Sequence, residues 1–442
     1  MHYYLLSTFL LTINFSSKAQ SSESIINRLN AINQAVMAKP CSNGAAVISN
    51  RAMNVFLADK TGYLAANTDL SFYTNYVTFN TSDAKFTINH NFQNPASNDE
   101  PIKKLFSFGV SANIANSFAS TPFNKRPENE FGFTASYKWL GNVKTHLACN
   151  NLQYKTQQQQ VMDAFRAAML HLLYIEIRKK EADFLAAIDA IDTTAIPGQN
   201  TNLAKALLQQ SFYQSLQEDY EEKFAKQQAA LLTDKKSFNF ITTGWTSLTT
   251  YIPLISPKYN AAQSLTVAFR EKHPYPLKLM LSHNRLWESS KIGRLFVTLS
   301  VNCLFNNSIL SYAINEINFI EYKDLGGTDT LHLAELKKDK VYLGNYNTFI
   351  SPSISGRLVY FPSSSHVGIS FLLEQHFGSY GLMNAKLGLP IVLINSKKLP
   401  AVNFECYLMF MDMNNKINRV NKPQRNTIIG LSAGIPFSRL IY

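Results

Sequence analysis

The chain has 442 residues, of which 16% are charged and 12% aromatic, and it carries a formal net charge of +12. The charged fraction lies well below the roughly 25% of soluble domains, and single β-barrels exceed the usual domain size, so the length does not force a split into several domains. Residues 155–236 hold ten Lys or Arg against eleven Asp or Glu, which leaves 32 against 19 elsewhere. The positive excess therefore belongs to the rest of the chain. Its cations are scattered about one per predicted strand, and no basic run exceeds Arg178-Lys179-Lys180. That distribution argues against a nucleic-acid partner.

Residues 1–19 read as a signal peptide, with an apolar stretch from Tyr3 to Phe15 followed by Ser17-Lys18-Ala19. Its n-region has no Lys or Arg, only His2. Residues 20–52 read as an N-terminal lead-in or plug, with Ile25, Ile26, Leu29 and Ile32 at helical spacing. Residues 53–141 read as a first set of barrel strands, beginning with a weak one near Asn54 to Ala66. Later ones alternate clearly. Phe106, Phe108, Val110 and Ala112 oppose Ser107, Gly109, Ser111 and Asn113.

Residues 155–232 abandon period two. Met162, Phe165, Met169 and Leu172 recur at three and four residues, as do Tyr213, Leu216, Tyr220 and Phe224, with a break at Pro197-Gly198. This predicts an inserted hairpin of two long helices. Residues 236–442 return to strands, nine in number, among them Ser264 to Glu271 and Ile292 to Phe305. In the latter, Leu295, Val297, Leu299, Val301, Cys303 and Phe305 share a phase over eleven residues. That is the length of a tilted strand crossing a bilayer, about 9 to 11 residues. The last strand, Ile429 to Tyr442, puts Ile429, Leu431, Ala433, Ile435 and Phe437 on one face and Gly430, Ser432 and Gly434 on the other. The mature chain has no apolar run long enough for a spanning helix. A membrane reading therefore requires a closed barrel, because an open sheet leaves edge amides unpaired in hydrocarbon.

The fold class expected is an all-β membrane protein with an α insertion: an antiparallel transmembrane barrel of about fourteen strands (twelve to sixteen) plus a long helical hairpin. The alternative is a secreted soluble β-sandwich with an interaction function. With both ends of the chain in the periplasm, counting back from the last strand makes residues 306–344 an outer loop. It also places the hairpin outside, provided that Asn54 to Ala66 is a strand.

Sites follow from phase. The small or polar phase carries Lys85, Lys138, Arg270, Lys278 and Lys386 against Glu374 and Glu405, a basic lumen wall that favours anions if the barrel is open. The competing reading is that these charges pair with one another or snorkel at the rims. On the hairpin, Phe165, Met169, Tyr213, Tyr220 and Phe224 form an aromatic stripe for an envelope protein partner, or simply the core of the pair. A cap over the pore is the rival role for the hairpin. Cys41, Cys149, Cys303 and Cys406 have no CxxC spacing, so no metal is expected. A Cys41–Cys149 disulfide is one option in an oxidising envelope. No GxSxG, HExxH, P-loop or GxGxxG occurs. Catalytic residues and cofactors are accordingly expected to be none, and the chain is read as no enzyme.

The signal, the strand field and the terminal strand with Phe437 and Tyr442 together resemble the outer-membrane β-barrel proteins of Gram-negative bacteria, porin-like in general class. The resemblance implies outer-membrane lipid around the barrel and recognition of the C-terminal strand by the barrel-insertion machinery. It implies a non-enzymatic channel or a structural, docking platform.

Overall fold

The computed structural model describes residues 21–38, 48–64, 74–80, 85–92, 101–113, 131–146, 157–190, 201–235, 238–255, 259–264, 270–273, 275–311, 315–324, 332–363, 365–396, 399–414, 416 and 427–439. The predicted signal peptide, Cys41, Cys149, Pro197-Gly198 and Tyr442 lie outside these residues.

Strands form where the apolar and small residues alternate. They are β1 (Thr74–Asn80), β2 (Lys85–Phe92), β3 (Lys104–Asn113), β4 (Phe131–Leu140), the short β5 (Lys144–His146), β6 (Phe240–Ile255), β7 (Tyr259–Ala262), β8 (Arg270–Lys272), β9 (Lys278–Ser289), β10 (Gly293–Asn307), β11 (Asn315–Asp324), β12 (His332–Leu343), β13 (Thr348–Pro362), β14 (Ile369–His376), β15 (Met383–Ile394), β16 (Pro400–Phe410) and β17 (Thr427–Arg439). Twelve of them close a ring in the order β4-β3-β2-β1-β17-β16-β15-β14-β13-β10-β9-β6, and β6 pairs back onto β4. Strand β5 adds three residues beside the start of β6. Helices are α1 (Ser22–Met37), α2 (Asn50–Thr61), α3 (Gln157–Asp189), α4 (Thr201–Lys235) and the single turn α5 (Ser308–Ser311).

The barrel is inside out relative to a soluble sandwich. On β10, Leu299 is 60% exposed and Val301 53%, while Ser300 and Asn302 between them are each 5%. Neighbouring strands continue the greasy face in register: Ile429 lies opposite Leu408, Leu408 opposite Leu387, Leu387 opposite Phe371 and Phe371 opposite Leu358. All five are exposed. This belt has no partner but hydrocarbon. The inward phase is small and polar and bonds across strands: Ser247 Oγ to Ser282 Oγ at 2.6 Å, Thr298 Oγ1 to Asn284 Oδ1 at 2.7 Å, and Asn302 Nδ2 to Ser353 Oγ at 3.2 Å. Trp139 against Tyr137, and Arg285 over Trp287, lie towards one rim, where amphipathic rings suit a headgroup region.

Prolines within strands sit where the ladder lapses. Pro436 adjoins the register shift of β1 against β17, Pro253 the shift of β4 against β6, and Pro390 lies just beyond the last β14–β15 pair. Each can lack an amide donor there without an unpaired acceptor opposite.

Tracing the ring places both ends of the described chain on one side. The links on that side between β9 and β10, β13 and β14, and β15 and β16 are short, namely residues 290–292, 363–368 and 395–399. The opposite side carries residues 114–130, 256–277, 308–347 and 411–426. Short turns mark the periplasmic rim and long loops the outer one. Residues 256–277 and 308–347 build a second sheet there, in the order β11-β12-β7-β8.

Three sequence expectations change. The stretch from Asn54 to Ala66 is helical through Thr61, and Gly62–Leu64 follow as a 3-10 turn. Its residues do not alternate, and they are enclosed on all sides. Of Ser264 to Glu271, the described strand residues Arg270 and Glu271 lie in β8 of the second sheet and not in the barrel, and residues 265–269 lie outside the described residues. Losing one strand before the hairpin and one after it turns about fourteen into twelve. With four strands before it instead of five, the hairpin hangs from the rim that carries the short β9–β10, β13–β14 and β15–β16 links, opposite the second sheet.

Helices α1, α3 and α4 form a three-helix cluster around Ile25, Ile26, Leu29, Leu170, Leu173, Ile177, Leu216, Tyr220 and Phe224. Glu181 on α3 caps α1. It accepts hydrogen bonds from the Ser22 amide at 3.1 Å, from the Ser22 hydroxyl, and from Tyr213 at 2.8 Å. A carboxylate at a helix N-terminus is favoured by the free amides and the dipole. Burial pushes its carboxyl up, but the Ser22 and Tyr213 bonds outweigh it and hold it below its ordinary value. Burial and Glu181 push Tyr213 up to about 12.

Two measurements test this layout. Leu299→Arg, on the lipid face near mid-strand, should cost about 2–4 kcal/mol of barrel stability, read as a lowered urea midpoint of heat-modifiable gel mobility. Ser300→Thr, one residue along and facing inward, should leave that midpoint within about 1 kcal/mol. Because the native Glu181 value is depressed, its contribution is present at neutral pH. It disappears as pH falls from about 4.3 through that lowered value. Amide exchange in α1 should therefore quicken in that window, and Glu181→Gln should remove the pH dependence.

Candidate functional site

The lumen changes character along its length. At the periplasmic end the inward phase turns from small and polar to large and apolar: Trp245 on β6, Leu286 on β9, Phe296 on β10, Val359 and Phe361 on β13, and Val392 on β15. All of them join one core with Val55, Phe56, Leu57 and Leu64. Helix α2 fills that collar. Ser49 caps it by accepting from the Ala52 amide at 3.2 Å. The helix is buried nearly all round because the barrel wall meets one side of it. The hairpin root, through Met162, Ala225, Ala229 and Leu232, meets the other.

Polar contacts fix the plug against the wall. Glu288 on β9 takes Arg294 Nε at 2.6 Å and Lys60 Nζ at 3.5 Å. Arg294 lies over the Tyr63 ring at 4.1 Å. Tyr63 meets Phe361 edge-on at 5.6 Å and places its hydroxyl 3.2 Å from His366 Nδ1. Asn403 donates to the Gly62 carbonyl, and Gly62 packs on Pro400, where a Cβ would already be in close contact. On the hairpin side, Glu221 pairs with Arg51 at 2.7 Å and Arg28 at 2.5 Å, while the Ser49 amide donates to Gln228 at 3.0 Å.

Outward of the plug lies a cavity of about 450 Å3, lined by polar wall residues including Asn89, Ser136, Thr298, Asn302 and Ser432, and by Lys138, Lys278, Arg357, Lys386 and Glu374. Lys386 reaches Glu405 at 2.7 Å and lies 3.8 Å from the Tyr407 ring centre. Glu374 pairs with His376 at 3.3 Å. Four cations thus face two carboxylates, and one of those carboxylates is held by Lys386.

Of the charges picked by phase, Lys138, Lys278, Lys386 and Glu374 meet in this cavity, and Glu405 backs it. The Lys85 side chain lies outside the described residues. Arg270 is corrected: it sits exposed on β8, which pairs with β7 in the second sheet and not with a strand of the barrel. Arg357 was missed although it shares the phase of Ser353 and Ser355. Glu288 and Arg294 were missed because they stand at strand ends, where the alternation is no longer counted. On the hairpin, Tyr220 and Phe224 are 2% exposed and belong to the core, as does the partly buried Tyr213. Met169 packs at the plug, and of the five only Phe165 is exposed. Tyr213, Tyr220 and Phe224 are therefore part of the core of the helical cluster. Cys303 and Cys406 are free thiols in the outward phase. Among the described residues no cluster of His, Cys, Asp or Glu could hold a metal ion.

No family model matches the chain, and no curated protein matches it. Among solved structures it is similar to the KdgM porin in complex with disordered oligogalacturonate, with 6% identity, 82% of this chain and 97% of that one covered, and a TM-score of 0.27. It is similar to the NanC porin, with 7% identity, 82% and 98% coverage, and a TM-score of 0.29. It is also similar to the beta domain of the Bordetella autotransporter BrkA, with 8% identity, 82% and 97% coverage, and a TM-score of 0.26. The closed ring, its apolar belt and its polar interior define this chain as a β-barrel of the outer-membrane type. Among the described residues its ring has twelve strands, one end is filled by α2, and the helical hairpin hangs from that same end.

The Glu288 cluster supplies a test of the plug. Glu288→Gln removes the carboxylate that Lys60 and Arg294 share and leaves Asp59 as the counter-charge near Lys60, a loss of about 3 kcal/mol. Trypsin added from the periplasmic side should then cut at Lys60 or Arg51 in folded barrels. The parent should resist at the same dose.

Proposed function

We propose that this protein is a non-enzymatic channel for small anionic solutes, held closed at its periplasmic mouth by α2. The polar, net basic cavity beyond the plug carries this reading. A wall with Lys138, Lys278 and Arg357 in excess over Glu374 concentrates anions, while the apolar collar around α2 seals the path. Lys386 pairs with Glu405, and the basic groups of the cavity still outnumber its carboxylates, which sets its net sign. Strand β17, closed against β1, is the segment that the insertion machinery would recognise. The hairpin, far larger than a barrel turn needs to be, serves as a periplasmic docking element.

Planar-bilayer recording tests the channel. The intact protein should conduct little, and removal of residues 50–64 should raise conductance severalfold with preference for anions. Lys278→Glu in the unplugged form should shift the reversal potential towards cations. If the unplugged barrel stays silent, or its selectivity ignores that charge, the channel reading fails.

A further inference from the structure

The lipid-facing belt of the barrel is interrupted at one place. On β9, His283 lies opposite Leu299 of β10 and Thr246 of β6, and Arg285 lies opposite Val297 and Gly244. Leu299 marks that phase as outward, and both His283 and Arg285 are exposed in it. Among the described residues, Arg285 is the only Lys, Arg, Asp or Glu in the outward phase of a ring strand away from its first and last residues. Strand β9 ends four residues further on, at Ser289, so Arg285 stands about 10 Å inside the rim with the short turns once strand tilt is counted. A charge at that depth is costly where hydrocarbon alone meets it.

We propose that Arg285 and His283 bind the phosphate of a glycerophospholipid in the leaflet at that rim. The Arg285 guanidinium lies 5.3 Å from the centre of the Trp287 ring, and Trp287 is two residues nearer the rim, so the charge is turned towards the headgroup level. Thr246 Oγ1 lies 3.0 Å from His283 Nδ1. When that hydroxyl donates, the ring proton stays on Nε2, which becomes a second donor beside the guanidinium. Beyond these two contacts neither side chain has a polar partner among the described residues. A Cβ at Gly244 would lie 3.9 Å from Nε2 of His283, so glycine keeps a shallow notch open between that ring and Arg285, its cross-strand neighbour. Towards the bilayer centre, Leu248 and Leu281 pair across the same two strands, both exposed, and offer the acyl chains an apolar bed. Two observations choose a phospholipid. No Asp or Glu stands in the outward phase of any described ring strand, so the wall of a second copy brings no counter-charge. One cation suits the single charge of a phosphodiester, whereas a lipid with several phosphates calls for several. The site is on the outside of the barrel and does not depend on whether the lumen conducts.

Native mass spectrometry of the full-length protein, delipidated in detergent and titrated with phosphatidylglycerol, phosphatidylethanolamine or diacylglycerol, decides it. The parent should retain one molecule of either phosphate lipid and no diacylglycerol. Arg285→Leu should raise the apparent dissociation constant roughly tenfold or more and His283→Phe about threefold, with heat-modifiable mobility showing an intact barrel in both. Lys104→Leu, which removes an exposed cation three strands round the ring at the end of β3, should leave retention unchanged. No lipid on the parent, equal retention of diacylglycerol, parental binding by Arg285→Leu, or a matching loss in Lys104→Leu would each overturn the proposal. So would a self-associated parent that Arg285→Leu splits into single chains.

Discussion

Backbone amides have no partner in hydrocarbon, so a sheet that crosses a bilayer must close on itself. Every other feature of this molecule follows from that closure. The β4–β6 and β1–β17 pairs leave the twelve-stranded ring without an edge. Once closed, the ring has one face towards lipid and one towards a narrow interior, and the period of two assigns each residue to one or the other. Leu299 and Ser300 are adjacent in sequence and live in different solvents.

A polar interior creates a difficulty for any plug, since a helix gains little from burial among serines and asparagines. The chain meets it by changing the inward phase at one end only. Trp245, Leu286, Phe296, Val359, Phe361 and Val392 form a short apolar collar, and α2 is apolar enough to fill it. The charges there gather in one group, with Glu288 between Lys60 and Arg294 and Asp59 beside Lys60. This keeps the desolvation of two cations offset by a shared carboxylate.

Most of the barrel was legible because lipid exposure writes the same alternation into every strand. The strands whose phase was clean, such as β3, β10 and β17, are where the sequence put them. The errors fell where another environment overrode the local pattern. Residues Asn54 to Ala66 are apolar in no simple period, because α2 is surrounded on all sides, and a fully enclosed helix is hard to tell from a weak strand. Ser264 to Glu271 alternates enough to pass for a strand but ends in the outer sheet, and Arg270 was lost with it. The cavity charges were readable by parity alone. Their mutual pairing was not, because the register that brings Lys386 onto Glu405 is a property of two strands together. In the hairpin, Tyr220 and Phe224 were conspicuous as aromatics, yet conspicuous aromatics on a long helix are usually its core.

The plug is tied at both ends of its environment, and the two ties differ in strength. Towards the wall, Glu288 and Arg294 are buried and Lys60 is 14% exposed, and all three stand within the apolar collar, so separating them strands charge in a poor solvent. Towards the hairpin, Glu221 is buried, but Arg28 is 37% exposed and Arg51 18%, so water can replace their bonds at lower cost. Displacement of the hairpin relative to the barrel would therefore break the α1 contact first, then the Arg51 contact, with the collar last. A plug anchored this way stays with the barrel when the helices shift. Its release requires a disturbance that reaches Glu288 itself, from within the lumen or through β9 and β10, on which Glu288 and Arg294 stand.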